Sequence, residues 1–140
     1  MIPKIFLIED NSALRKIIVL TLNSLEEVDL CGFSEDAEEA LEKLASLKPD
    51  LVLVDRSLPG MSGMDLVARL KETRPEIRCL LFTGRNEAKL AREALRAGAC
   101  GYLVKGGPPD EFLSAIRASL NGECFVSPSV RGWEGPDAQP

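Results

Sequence analysis

Four short apolar runs alternate along this chain with longer segments of helical period, and this alternation restricts the fold more than any other feature of the sequence. The runs span residues 4–8, 51–54, 79–82 and 101–104, and each has the length of a buried strand. Strands that alternate with helices form a parallel sheet with helices on both faces. With 140 residues, of which 45% are hydrophobic, the chain is long enough for one such domain.

Capping residues and apolar spacing predict five helices between and after these runs. A further short strand is predicted over residues 28–31, after the first helix. The sequence therefore predicts a doubly wound α/β domain of flavodoxin-like topology, in which five parallel strands lie in the order 2-1-3-4-5. The residues that mark the helix ends are Asn11 and Ser12, Asp36, Ser62, Gly98, Pro109 and Asn121.

Two of the helices have unusual apolar faces. In the first, Val19 and Leu20 lie outside the stripe that is expected to face the sheet. They predict an exposed patch for a partner protein or a second copy of the chain, unless they pack against the last helix. In the fourth, over 86–97, the inward positions are mostly alanine, so this helix is expected to be the most weakly held. The stripe of the first helix consists of Leu14, Ile17, Ile18, Leu22 and Leu25.

Five polar residues stand where the apolar runs stop. They are Glu9, Asp10, Asp55, Thr83 and Lys105. Because the carboxyl ends of neighbouring parallel strands meet at one edge of the sheet, we expect these side chains to share a pocket. Each has an ordinary explanation by itself, as a turn residue, a helix-terminal acid or a solvated lysine. Polar residues of this kind at the ends of all four runs favour a functional site over four independent explanations.

The residue types in this pocket favour phosphoryl transfer. Clustered carboxylates repel one another unless a cation neutralises them, and Mg²⁺ prefers oxygen ligands and leaves room for phosphate oxygens. Asp55 is a candidate nucleophile, since an aspartate with an ordinary pKa of about 3.9 is ionised at neutral pH and needs no general base. Lys105 can neutralise the transferring group and Thr83 can donate a hydrogen bond to it. The chain has no histidine, which excludes catalytic triads and histidine phosphocarriers.

Four segments make the chain resemble the response regulator receiver domains of two-component signalling, over most of its length. The resemblance implies that Asp55 accepts a phosphoryl group from a histidine kinase or a phosphotransfer protein. It implies a phosphorylation-activated switch, not an enzyme, with self-catalysed phosphorylation and dephosphorylation only. The matching segments are Ile8–Asn11, Leu51–Gly63, Leu81–Gly84 and Ala97–Lys105.

The same resemblance implies a ligand set for the metal. Asp10, Asp55 and the backbone carbonyl of Ser57 would hold Mg²⁺, and Glu9 would act through water. In the family pattern a proline often follows the lysine directly. Here two glycines, residues 106–107, intervene, so the loop after the lysine is expected to differ.

Roles for the remaining site residues also come from the resemblance. Thr83 and Tyr102 would be the switch pair, in which the hydroxyl moves toward the phosphoryl group and the aromatic ring follows inward. Lys105 would bind the phosphoryl group. Ser57 and Arg85 stand two residues after the aspartate and the threonine, at positions that influence how water reaches the phosphoryl group. We expect Arg85 to shield it and lengthen its lifetime.

The last part of the chain resembles receivers of the NarL/FixJ type, which normally precede a helix-turn-helix DNA-binding domain. We assign residues 1–126 to the receiver domain and residues 127–140, which are rich in proline, glycine and polar residues, to a flexible C-terminal tail. No DNA-binding domain is expected in this chain. It is either a piece of a transcription regulator or a stand-alone receiver that relays the signal to a partner.

Composition limits the partners that the chain can attract. Its net charge of −5 gives no general attraction to nucleic acid phosphate or to an anionic membrane, so neither DNA nor membrane is an expected partner. A homodimer is compatible with the patch on the first helix. The chain carries no apolar run long enough for a signal peptide or a membrane span, so a cytoplasmic location is expected.

Three alternatives remain open from the sequence. An Mg²⁺-dependent aspartate-nucleophile phosphatase uses the same residue types, but it prefers a second aspartate where this chain has Ser57. A nucleotide or flavin binder would need a glycine-rich phosphate loop, and neither G-x-G-x-x-G nor G-x-x-x-x-G-K-[ST] occurs. A receiver-like module that is never phosphorylated would be expected to lose acidic or lysine residues from the site.

Overall fold

In the computed structural model, which describes residues 2–135, strands and helices alternate along the chain. The strands are β1 (Lys4–Ile8), β2 (Asp29–Ser34), β3 (Leu51–Asp55), β4 (Arg78–Thr83), β5 (Gly101–Val104) and β6 (Phe125–Val126). The helices are α1 (Ser12–Asn23), α2 (Ala37–Leu44), α3 (Gly63–Thr73), α4 (Ala88–Ala97) and α5 (Pro109–Leu120).

All six strands belong to one parallel sheet in the order β2-β1-β3-β4-β5-β6. The predicted order 2-1-3-4-5 is confirmed, and the short β6 adds a sixth strand that the sequence did not predict. Every residue of β3 is buried, as expected for a central strand that is covered on both faces. The carboxyl ends of β1, β3, β4 and β5 therefore meet along one edge of the sheet.

Helices cover both faces of this sheet. On one face, Ile18 of α1 and Ile116 of α5 pack in the same apolar cluster. On the other face, Leu44 of α2, Leu66 of α3 and Ala91 of α4 share a second cluster. This burial of apolar area on two sides is the main stabilising contribution to the fold. Within the described residues, each helix is too short or too polar to cross a membrane.

Side-chain caps begin the first three helices, as the sequence predicts. The Asn11 side chain accepts a hydrogen bond from the backbone N–H of Leu14 at 3.0 Å, at the start of α1. Asp36 and Ser62 cap α2 and α3 in the same way. Gly98 ends α4 with a φ of 117°, which glycine adopts without a steric clash.

Two local predictions about β2 and α1 are wrong. The second strand spans Asp29–Ser34 instead of residues 28–31, because it continues to pair with β1 beyond a bulge. Ile17, which was expected to face the sheet, is 61% exposed, together with Leu20 at 70%. Val19 is partly buried and packs against the cluster that includes α1 and α5. The exposed apolar side chains of α1 are therefore Ile17 and Leu20.

The predicted flexible tail is packed along the first part of its length. Ser127 and Val130 are buried, and the backbone N–H of Arg131 donates to the carbonyl of Asn86 at 2.9 Å. The proline- and glycine-rich composition suggested disorder, but these few buried contacts hold the segment against the body of the domain. Residues 136–140 of the predicted tail lie outside the described residues.

Candidate functional site

Backbone hydrogen bonds fix the strand ends from which the site is built. The N–H of Arg56, just after β3, donates to the carbonyl of Phe82 in β4 at 3.0 Å. The N–H of Lys105, just after β5, donates to the carbonyl of Thr83 at 2.7 Å. The sheet ladder thus extends one residue past the strands, and it holds the first loop residues at the same edge.

Three carboxylates converge at this edge. One side-chain oxygen from each of Glu9, Asp10 and Asp55 lies within 4.8 Å of the other two. Glu9 and Asp55 are buried, whereas Asp10 is exposed. Lys105 Nζ lies 3.1 Å from Glu9 Oε1 and 3.2 Å from Asp55 Oδ2. The single ammonium therefore faces two buried carboxylates, and an additional cation would reduce the remaining repulsion.

Glu9 carries the strongest electrostatic perturbation of the cluster. Burial, followed by the neighbouring Asp55 carboxylate, raises the pKa of Glu9 from 4.5 to about 7. The backbone N–H of Asn11 donates to Glu9 Oε2 at 3.0 Å. Glu9 Oε1 is buried and accepts no hydrogen bond from residues 2–135, because Lys105 approaches it at ion-pair distance without hydrogen-bond geometry. A buried oxygen of this kind is available to a metal ion or to water bound to one.

The donor set fits Mg²⁺. Oxygen ligands from two or three carboxylates, with one side open to solvent at Asp10, match the preference of Mg²⁺ for few protein ligands and several waters. Zinc would favour histidine or thiolate ligands, and the cluster consists of carboxylates. The acidic residues predicted from the sequence thus form a group that could hold a metal.

Asp55 is positioned by the turn that follows β3. The backbone N–H of Ser57 donates to Asp55 Oδ1 at 3.0 Å. Gly63, at the start of α3, packs against the backbone carbonyl of Asp55 so closely that a β-carbon would overlap it. Glu38 of α2 reaches the same turn and accepts a hydrogen bond from the backbone N–H of Met61 at 3.1 Å. The turn therefore holds one carboxylate oxygen and leaves the other toward Lys105.

A second chain of contacts links Thr83 to Tyr102. The backbone N–H of Arg85 donates to Thr83 Oγ1 at 3.2 Å, and the Tyr102 hydroxyl donates to the carbonyl of Arg85 at 2.8 Å. The Tyr102 ring is fully buried, and this burial raises its pKa to about 12. One loop residue is thus held from both sides by the two side chains that were predicted to form the switch pair.

The side chain of Arg85 pairs with a neighbouring carboxylate. Its Nε and Nη2 atoms donate to the two carboxylate oxygens of Glu87, at 3.0 and 2.8 Å. This fork arrangement is a strong pairing geometry for arginine, although both groups are largely exposed to solvent.

Two contributors to the site were not found from the sequence. The ring of Phe82 lies under the Lys105 ammonium, with 4.9 Å from Nζ to the ring centre, a distance at which a cation and a π-system attract. Arg15 Nη1 donates to the backbone carbonyl of Glu9 at 2.9 Å. Phe82 is the last residue of an apolar run, where an aromatic side chain is typical of the core and does not indicate a functional role. No sequence pattern marks Arg15 as part of the site, because it binds a backbone carbonyl and not a side chain.

A solvent-exposed apolar patch lies on and beside α1. Ile17 and Leu20 project from the helix, and Phe33 of β2 is 43% exposed. Arg15 approaches the Phe33 ring from α1, with 5.8 Å from its guanidinium carbon to the ring centre. Apolar side chains clustered at a protein surface are typical of interaction sites. The patch predicted on the first helix is present, because Val19 and Leu20 line a surface groove together with Phe33. Ile17 is a further exposed apolar side chain of the same helix.

Comparisons with known proteins agree with this geometry. The family model described as "Response regulator receiver domain" matches residues 5–117. Response regulator GacA of Pseudomonas syringae is 31% identical over 127 residues, which is 91% of this chain and 59% of that protein. The nitrate/nitrite response regulator protein NarL of Escherichia coli is 31% identical over 126 residues, covering 90% of this chain and 58% of NarL.

A solved structure shows the same fold. A two-component response regulator of the LuxR family from Aurantimonas sp. SI85-9A1 superposes with a TM-score of 0.88 at 28% identity, covering 93% of each chain. The chain spans a little under two thirds of the length of the curated relatives described above. These relatives are named as response regulators, and they give no support to the phosphatase alternative.

Proposed function

The chain belongs to the response regulator receiver family, a family of signalling switches, and on that premise we propose that Asp55 accepts a phosphoryl group from a histidine kinase or a phosphotransfer protein. The observation that carries this proposal is the setting of Asp55. Its carboxylate is 3% exposed, lies 3.2 Å from the Lys105 ammonium, and has two further carboxylates beside it at the open edge of the sheet.

In the proposed reaction Asp55 is the nucleophile. Its Oδ2 oxygen attacks the phosphorus of a donor such as a phosphohistidine, and the new O–P bond forms as the P–N bond breaks. The bonding electron pair leaves with the imidazole nitrogen. Asp55 Oδ1 stays engaged with the Ser57 N–H, so one oxygen is oriented by the turn while the other reacts. Lys105 then neutralises charge on the transferred phosphoryl oxygens.

Asp10, Asp55 and the Ser57 carbonyl would hold Mg²⁺, and Glu9 would act through bound water. When bound, the ion neutralises phosphoryl oxygens and orients them for in-line transfer. The clustered carboxylates, and the buried Glu9 Oε1 that accepts no hydrogen bond from the described residues, support this assignment. Arg15 and Asn11 keep Glu9 in place through its backbone carbonyl and its second oxygen.

Thr83 and Tyr102 would report the event to the surface. The Thr83 hydroxyl is proposed to move toward the phosphoryl group, and the Arg85 backbone that bonds to it would move with it. Because the Tyr102 hydroxyl bonds to the carbonyl of the same residue, we propose that the loop position set by the phosphoryl group is the one that holds the Tyr102 ring inward. The surface near α4, β5 and α5 would then differ between the two states.

Ser57 and Arg85 would set the lifetime of the phosphoryl group. Arg85 must leave its fork with Glu87 to reach the site. An Arg85→Ala variant should therefore lose phosphate faster than the wild-type chain, while Glu87→Gln, which weakens the fork, should lose it more slowly. Equal rates in all three chains would remove Arg85 from this role.

The output lies beyond the switch itself. We propose that the chain regulates transcription through an output domain or a partner, as a receiver of a transcription regulator or as a stand-alone receiver. The similarity to response regulators that are longer than this chain supports the first form. The α1 patch, beside the edge that carries Asp55, is proposed to dock the phosphodonor, and a homodimer is the competing use of the same surface.

Acetyl phosphate with Mg²⁺, followed by intact-mass measurement, tests the proposed function. The wild-type chain should gain the mass of one phosphoryl group, and a chelator should prevent the gain. Asp55→Asn should take up no phosphate, whereas Asp110→Asn, which changes an exposed aspartate of α5, should behave as the wild type. Uptake by Asp55→Asn equal to that of the wild type would refute the assignment of the acceptor.

A further inference from the structure

The residues that follow α5 form a continuous set of contacts with the predicted switch. We call residues 125–133 the C-terminal segment. Its first two residues are β6, which pairs with β5 through Gly101 opposite Phe125 and Tyr102 opposite Val126. Gly101 lies so close to the backbone of Phe125 that an added β-carbon would fall 2.7 Å from the Phe125 carbonyl oxygen. The segment thus begins against the strand that carries Tyr102.

Ser127 continues this pairing with both its backbone and its side chain. Its N–H donates to the carbonyl of Tyr102 at 3.0 Å. Its hydroxyl accepts a hydrogen bond from the N–H of Val104 at 2.8 Å. The side chain is almost completely buried, and a buried hydroxyl is stable only when it is hydrogen-bonded. Ser127 therefore joins the segment to Tyr102 and Val104, the residues on either side of Leu103 in β5. Val104 directly precedes Lys105.

The segment then reaches the loop between β4 and α4. The N–H of Arg131 donates to the carbonyl of Asn86 at 2.9 Å, and Arg131 forms an isolated parallel bridge with Glu87. Val130 is buried in the same apolar cluster as Tyr102, and Trp133 packs against that cluster. These contacts place the segment over the loop that follows Thr83.

Two bonds consequently converge on adjacent residues of this loop. The Tyr102 hydroxyl binds the carbonyl of Arg85, and the Arg131 N–H binds the carbonyl of Asn86. A displacement of the loop as a whole moves both carbonyls, since they belong to consecutive peptide units. The segment and the inward position of Tyr102 therefore depend on the same loop conformation.

We propose that the C-terminal segment is an intramolecular ligand of the switch surface formed by β5 and the β4–α4 loop. It binds the conformation in which Tyr102 lies inward. This inference rests on the proposed function, in which a phosphoryl group at Asp55 favours the inward ring. Phosphorylation then strengthens docking of the segment, and docking in turn strengthens binding of the phosphoryl group by the same factor, because coupling between two sites is reciprocal. The segment is thereby the element that carries the state of Asp55 to whatever the chain contacts.

Trp133 makes docking measurable, because it is the only tryptophan of the chain. The probe is beryllofluoride with Mg²⁺, a phosphoryl mimic that binds reversibly, added to the full chain. Wild-type Trp133 fluorescence should change on titration, and Asp55→Asn should not respond. Val130→Asp, which removes a buried anchor, should show the emission of a solvent-exposed indole and bind beryllofluoride about 5-fold or more weakly.

Ser129→Asp is the matched control, because it adds the same charge at an exposed neighbour, and it should titrate as the wild type does. Equal affinity of Val130→Asp and the wild type for beryllofluoride would overturn the coupling and leave the proposed function intact. A wild-type chain that binds no beryllofluoride would overturn both.

Hydrogen exchange supplies a test that does not depend on phosphorylation or on a destabilising variant. Tyr102→Phe removes only the hydroxyl that holds the Arg85 carbonyl. The amide of Arg131 should then exchange about 5-fold or more faster, whereas the amide of Leu53 in the central strand should keep its wild-type rate. An unchanged rate at Arg131 would show that the segment and the tyrosine are independent, and would refute the proposal.

Discussion

Lys105 is the residue on which the proposed transfer depends most after Asp55. Its ammonium lies within 3.2 Å of both buried carboxylates and over the ring of Phe82. Lys105→Ala should slow phosphate uptake from acetyl phosphate by about 100-fold, the usual effect of removing one charge-stabilising donor. Lys89→Ala, which removes an exposed lysine from α4, should keep the wild-type rate. Equal uptake by the two variants, measured by intact mass, would contradict the role of Lys105.

The pKa of Glu9 gives a pH dependence with a definite sign. Burial raises this pKa from 4.5 to about 7 in the folded chain, so between these values the folded chain binds more protons than the unfolded one. Without Mg²⁺, the contribution of Glu9 to the free energy of unfolding is therefore complete below about pH 4.5 and is lost as the pH rises through about 7. Glu9→Gln should flatten this dependence in urea denaturation, whereas Glu26→Gln, at an exposed position, should not.

Mg²⁺ reverses this trend because it competes with the proton for the cluster. The stabilisation that Mg²⁺ gives to the wild-type chain should be larger at about pH 8 than at about pH 5. A wild-type chain whose stability is independent of Mg²⁺ at both values would contradict the metal assignment.

At the residue scale, the polar side chains of the site could be predicted from the sequence, but the residues that hold them in position could not. Glu9, Asp55 and Lys105 could be recognised because each directly follows an apolar run, and parallel strands bring such positions together. Phe82 and Arg15 act through a ring face and a backbone carbonyl. Those contacts depend on side-chain directions that no spacing rule contains.

Among the elements, the turn between β3 and α3 packs closely against the start of α3. Gly63→Ala would force a β-carbon into the carbonyl of Asp55 and the Cα of Arg56. We expect a loss of about 1–3 kcal/mol in the free energy of unfolding. Gly84→Ala is the matched control, because in the described part of the chain only the adjoining residues have atoms within 4 Å of its new β-carbon. Similar losses for both variants in chemical denaturation would refute this account of the turn.

Helix α4 should be the first helix to open. Its buried apolar residues are Ala91 and Ala94, whereas α3 buries Leu66, Val67 and Leu70. The two alanines bury two side-chain carbons, whereas the three α3 residues bury eleven. At about 0.8 kcal/mol for each buried methylene, a difference of only two already exceeds the 1.4 kcal/mol that corresponds to a factor of ten. Backbone amides of α4 should therefore exchange with solvent at least about 10-fold faster than those of α3. The reverse order in hydrogen exchange would remove α4 as the weakly held element.

The elements that could not be predicted from the sequence are those without a repeating pattern of apolar residues. Strands β1, β3 and β4 are continuous apolar runs, and the helices have recurrent apolar positions and caps, so both kinds could be found. β6 has only two residues, too few for any alternation to be visible. The adjoining Ser127–Arg131 contains proline and polar residues that are typical of a tail, and only its contacts with β5 and the β4–α4 loop order it.

At the scale of the whole molecule, the alternation of strands and helices was sufficient to predict the order of the five main strands. Right-handed crossovers and short connections leave few arrangements for such a chain. Surfaces were harder to predict, because exposure depends on how each helix is rotated on the sheet. The helical spacing predicts that Ile17 faces the sheet, yet Ile17 is exposed, as is Leu20.

That exposed patch leads to a prediction about the intact molecule and its donor. With a histidine kinase that phosphorylates the wild-type chain, Leu20→Lys should slow the transfer by about 10-fold, the effect of losing roughly 1.4 kcal/mol of docking energy. Uptake from acetyl phosphate, which needs no docking surface, should stay the same. An equal decrease in both transfer rates would indicate that the site itself is damaged. An unchanged rate with both donors would contradict docking of the kinase at this patch and favour its use as a homodimer interface.

The central claim is that Asp55 forms an acyl phosphate, and the most direct measurement is chemical trapping at that residue. Borohydride reduces an acyl phosphate to an alcohol, so after treatment with acetyl phosphate and Mg²⁺ the peptide that contains residue 55 should carry homoserine in place of aspartate. Tandem mass spectrometry identifies the position. We predict reduction at residue 55 alone, and only when Mg²⁺ is present. Reduction at any other carboxylate, or an unmodified residue 55 in a chain that has gained phosphate, would contradict the account.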